Sequence, residues 1–136
     1  MSRSLRGAWK LWGSWCAVIA YAGFLAYMSL RSFGDSPIER VIDGVGRAYF
    51  HLPAYVGLAG LLALVMPSSG ARGRRVGVAF LAATAYGWFL EVAQMATPTR
   101  SFNLRGLAFD AAGAAAGATA AFVLLVLWER ESRRGS

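Results

Sequence analysis

Residues 11–30 read LWGSWCAVIAYAGFLAYMSL, twenty positions without one Asp, Glu, Lys or Arg. At a rise of about 1.5 Å per residue, a helix of this length reaches about 30 Å, the thickness of a bilayer's hydrocarbon core. Arg3, Arg6 and Lys10 precede the run. Ala20-Tyr21-Ala22 matches a small-residue cleavage pattern, but the apolar run continues eight residues past Ala22, further than a signal peptide's core would. An uncleaved membrane helix over 8–30 is expected, with Trp9, Trp12 and Trp15 at its basic end as an interfacial belt.

Three further apolar runs extend this pattern. They predict helices over 49–66, 76–95 and 104–128. Pro67 and Gly70 close the second, Pro98 closes the third, and Ser101 or Asn103 is placed to cap the fourth. The chain is 57% hydrophobic over 136 residues, too apolar for an ordinary soluble domain. The expected fold is all-α: a single domain over 1–136, an integral membrane bundle of four transmembrane helices. Between the first two, Ser36-Pro37-Ile38-Glu39 reads as a capping box with proline at the first helical position. Ile38, Val41, Ile42 and Val45 follow at helical spacing, with Glu39, Arg40, Asp43 and Arg47 among them. A short amphipathic interfacial helix is expected there, bending into the second span near Pro53.

The net charge of +7 is distributed as a topology signal. Nine of the fourteen Lys and Arg residues fall at 1–10, 67–75 and 130–134, and five fall on the opposite side. The positive-inside rule then puts both termini in the cytoplasm, with 31–48 and 96–106 facing outward. Basic residues grouped between apolar runs argue against nucleic acid as a partner. Cys16 is the sole cysteine, so no intrachain disulfide can form. No metal-ligand spacing appears, and no cofactor is expected.

Function should reside in polar side chains within apolar context. His51 and Tyr55 share a face of the second helix, and Glu91 and Gln94 share a face of the third. Pro98 and Arg100 follow in the connection, and Asp110 lies six residues into the fourth helix. Glu91 and Asp110 are expected at similar depth, about 9 Å below the rim. An ionised Asp at the centre of a membrane helix costs about 2.5–3.5 kcal/mol, so it faces the bundle interior or a wet cavity. Arg100 is the expected counter-charge of Glu91. Each residue also has a structural reading: His51 at the interface, Tyr55 as an anchor, Gln94 as an interhelical hydrogen bond, Glu91 with Arg100 as an ion pair. Convergence from three helices favours a ligand-binding site made of His51, Tyr55, Glu91, Gln94, Arg100 and Asp110. Gly113 and Gly117 form a G-x-x-x-G on the stripe that carries Asp110, predicting close packing inside the bundle, with a homo-oligomer as the alternative.

The string Glu91-x-x-Gln94-x-x-x-Pro98-x-Arg100-Ser101-Phe102, followed by the small-residue helix with Gly113 and Gly117, resembles the VanZ-like family. His51-Leu52-Pro53-Ala54-Tyr55 is similar to that family's His-Phe-x-x-Tyr element, and the resemblance covers about residues 43–118. The chain departs from the family pattern at Arg47-Ala48, Asn103, Gly106 and Asp110. The resemblance implies a small bacterial inner-membrane protein of the cell envelope, in a family whose namesake is associated with teicoplanin resistance. Three functions follow as expectations. The first is a non-enzymatic protein whose outward polar pocket binds membrane lipids or a lipid-linked or amphiphilic ligand. The second is a membrane enzyme using His51, Glu91 and Asp110 as acid and base on a lipid-linked substrate. The third is a transport or assembly subunit.

Overall fold

A computed structural model describes residues 3–30, 47–67, 71–96 and 104–135. They form four helices: α1 (Arg3–Leu30), α2 (Arg47–Val65), α3 (Arg72–Gln94) and α4 (Leu104–Arg134). Three of them, Trp12–Leu30 of α1 together with α3 and α4, are long and apolar enough to cross a membrane. The expected amphipathic helix after Ser36 and the capping positions Ser101 and Asn103 lie outside the described residues.

The packing is the reverse of a water-soluble core. The buried positions are mostly small: Ala59, Ala63, Ala79, Ala83, Ala114 and Ala121 are at most 1% exposed. Asp110, Glu91 and Gln94 are buried among them, while Trp12, Ile19, Leu81, Phe89, Leu104 and Trp128 all point outward. In water this would leave the large apolar groups hydrated. In lipid it is the stable arrangement: small residues let backbones approach, and polar groups turn inward.

Pairings between helices give the topology. Gly113 and Gly117 of α4 lie against the backbone of Leu52 and Val56 of α2, so α2 and α4 run in the same direction. Ala63, Ala79 and Ala121 form one cluster further along, where α3 runs antiparallel to both. The Tyr86 hydroxyl donates to the Ala22 carbonyl at 2.7 Å, and the Gln94 amide donates to the Ser29 carbonyl at 3.1 Å and to its hydroxyl. α1 therefore runs parallel to α3. The Tyr21 hydroxyl donates to the Ala54 carbonyl at 3.1 Å, tying α1 to α2. Among the described residues the backbones of α1 and α4 are not neighbours. One end of the bundle thus gathers the end of α1, the start of α2, the end of α3 and the start of α4. The opposite end gathers Val65, Arg72 and Arg134.

Several expected boundaries are corrected. α1 begins at Arg3, α3 at Arg72 and α4 continues to Arg134. A helical hydrogen-bond ladder does not stop where the apolar run stops, because backbone groups in the headgroup region still gain from pairing. Pro53 lies inside α2, which is helical on both sides of it. A proline in a membrane helix is tolerated when neighbouring groups satisfy the freed carbonyl. The arginines expected in a 67–75 loop belong instead to the first turn of α3. Cations are unfavourable at a helix N-terminus, and two of the three find compensation. Arg75 turns back to cap the end of α2, donating from Nε to the Ala63 carbonyl and from Nη2 to the Leu64 carbonyl at 2.5 Å. Arg72 pairs with Glu129 of α4 at 2.8 Å.

Candidate functional site

The site starts from the close crossing of α2 and α4. A Cβ at Gly113 would overlap the Leu52 carbonyl oxygen, and one at Gly117 would overlap that of Val56. Glycine at both positions brings the backbones together, and one turn before Gly113 the same face of α4 carries Asp110. The Asp110 side chain is 2% exposed, and its Oδ1 lies 2.7 Å from His51 Nδ1 on α2, at hydrogen-bond distance. Tyr55, one turn after His51, presents its ring nearly parallel to the imidazole, with 6° between the planes and 6.4 Å between centroids.

The third wall is α3. A Cβ on Gly87 would stand 2.6 Å from Asp110 Oδ2 and 3.1 Å from Tyr55 Cε1. Gly87 therefore makes room for both side chains. It closes a stripe of Ala79, Ala83 and Gly87, each one turn apart and each buried. The next position on that stripe is Glu91, which is also buried. The Asp110 carboxylate is level with Gly87, one turn before Glu91 along α3. At the rim itself, Tyr49 and Phe109 pack with ring centroids 5.4 Å apart.

Of the six residues expected at the site, His51, Tyr55 and Asp110 are brought together directly, and Glu91 is buried one turn past Gly87 on α3. Gln94 is buried but engages Ser29 of α1, as its interhelical reading anticipated. Arg100, and with it the expected Glu91–Arg100 pair, lies outside the described residues. Gly87 was not singled out from the sequence. Its signal was available as a small residue four positions before Glu91, continuing the spacing of Ala79 and Ala83.

The chemistry open to this arrangement is proton donation and acceptance by an imidazole held by a carboxylate. Among the described residues no group of three or more His, Cys, Asp or Glu is placed to hold a metal ion. No protein-family model, curated protein or solved structure matches the chain.

Proposed function

We propose that the chain is a VanZ-like integral membrane protein of the bacterial cell envelope. It crosses the inner membrane four times with both termini cytoplasmic, carries a short interfacial helix before α2, and opens an outward polar pocket that binds a lipid-linked or amphiphilic ligand. The observation that carries this reading is the His51–Asp110 pair, held inside a bundle whose outer surface is apolar. Polar groups at such a position are costly, and in membrane proteins they mark sites for ligands or ions. The end that holds the pair also receives the connection with Arg100, which supplies a cation for an anionic group on the ligand. α2 serves as the fourth span: 19 residues of helix reach about 28 Å. The Lys and Arg distribution supports the orientation.

The hydrogen bond between His51 and Asp110 also favours a second reading, a membrane enzyme in which His51 is the acid or base acting on a lipid-linked substrate. Both readings share one test. A host lacking the protein is complemented with wild type, Glu91→Gln or Arg100→Ala, with membrane levels quantified, and scored for teicoplanin sensitivity and envelope stress. Loss of complementation at normal abundance is expected for both variants. Full complementation by both would reduce these residues to structural roles and remove the site.

A further inference from the structure

His51 is the only histidine of the chain. Its ring is held at one nitrogen. Nδ1 lies 2.7 Å from the Asp110 carboxylate, and the His51 side chain is 25% exposed where that of Asp110 is 2% exposed. A neutral imidazole has one N–H and one lone pair, and the hydrogen bond made by one nitrogen decides the role of the other. An ionised carboxylate can only accept. In its ionised form Asp110 draws the N–H to Nδ1 and leaves the lone pair on Nε2. The other carboxylate oxygen lies against Gly87, where a Cβ would stand 2.6 Å from it. Among the described residues, none hydrogen-bonds Nε2.

We propose that Nε2 of His51 accepts a hydrogen bond from a hydroxyl group on the headgroup of an amphiphile, with Asp110 as the positioning residue that fixes the tautomer. This rests on the amphiphile-pocket reading and adds the chemistry of the headgroup. An ester or ether headgroup has no proton to give. A phosphate oxygen at Nε2 would meet a lone pair backed by the Asp110 charge. An ammonium would have to lose a strong hydration shell for a single acceptor, since Asp110 is already engaged and covered. A glycerol or sugar hydroxyl needs one acceptor at the rim, and Nε2 is one.

Because there is one histidine, ring-15N-histidine labelling of the full chain in phosphatidylcholine nanodiscs gives one pair of ring signals. In alkaline buffer, above the ordinary imidazole range, Nδ1 is expected to be protonated and Nε2 bare. Added monooleoylglycerol should move the Nε2 signal upfield and saturably, while its dimethyl ether, with both hydroxyls blocked, should not. A bare Nδ1, or protons on both nitrogens, overturns the proposal. An equal response to both additives, or none to either, overturns it too. Asp110→Asn is close in shape but can donate as well as accept, and should mix the tautomers and weaken the shift; an unchanged tautomer in that variant removes Asp110 as the positioning group. Labelling of the pocket by a photoreactive amphiphile without a hydroxyl tests the pocket separately, so the headgroup assignment can fail while the pocket stands.

Discussion

Replacing Gly117 by alanine adds one methyl group at the tightest point of the bundle. The new Cβ would overlap the Val56 carbonyl oxygen and stand 2.9 Å from both the Val56 carbonyl carbon and Cα. Ordinary carbon–carbon contact is about 3.5–4.0 Å, so the shortfall is about 0.6–1 Å against backbone atoms that no rotamer change can move. α4 must withdraw from α2 by about that distance, which also stretches the His51–Asp110 hydrogen bond two turns away. Overpacking of this kind costs about 1–3 kcal/mol. Gly77→Ala is the matched control: a Cβ there meets nothing within 4 Å, and the better helix propensity of alanine adds up to about 1 kcal/mol. Thermal unfolding of both variants in dodecyl maltoside, followed by circular dichroism, should give a lower midpoint for Gly117→Ala and an unchanged or higher one for Gly77→Ala. Coincident melting curves would refute the close crossing of α2 and α4 and the placement of Asp110 that depends on it.

Arg75→Ala removes two hydrogen bonds to the end of α2 and should lower stability by about 1–3 kcal/mol, at about 0.5–1.5 kcal/mol for each bond. Arg72→Ala breaks a pair whose partners are both about two-fifths exposed, and should change the same melting midpoint little, by less than about 1 kcal/mol. In a Cys16→Ala background, Thr99→Cys should react with an impermeant thiol reagent added to intact cells; labelling only after lysis would reverse the orientation.

The helices were legible in the sequence because each apolar run is interrupted by proline, glycine or clustered arginine. Their ends were not, since Arg3, Arg72 and Arg134 continue ladders into regions where charge density masks periodicity. Gly113, Gly117 and Asp110 were legible as one stripe, because spacings of three and four place residues on one face whatever that face meets. That His51 would meet Asp110 was not, as a pairing fifty-nine positions apart is fixed by the α2–α4 crossing and not by either segment. The part played by Gly87 was hidden for a related reason: reading for polar residues passes over the absent side chain that makes room for them.

The central claim is that an amphiphile binds in an outward-opening polar pocket at the His51 end of the bundle. A photoreactive alkyl-diazirine amphiphile can be irradiated with the full chain in nanodiscs and its adducts mapped by mass spectrometry. The account predicts adducts concentrated on 49–55 and 104–110, reduced by excess unlabelled amphiphile. Adducts spread over the lipid-facing positions of all four helices, and unaffected by competitor, would contradict it.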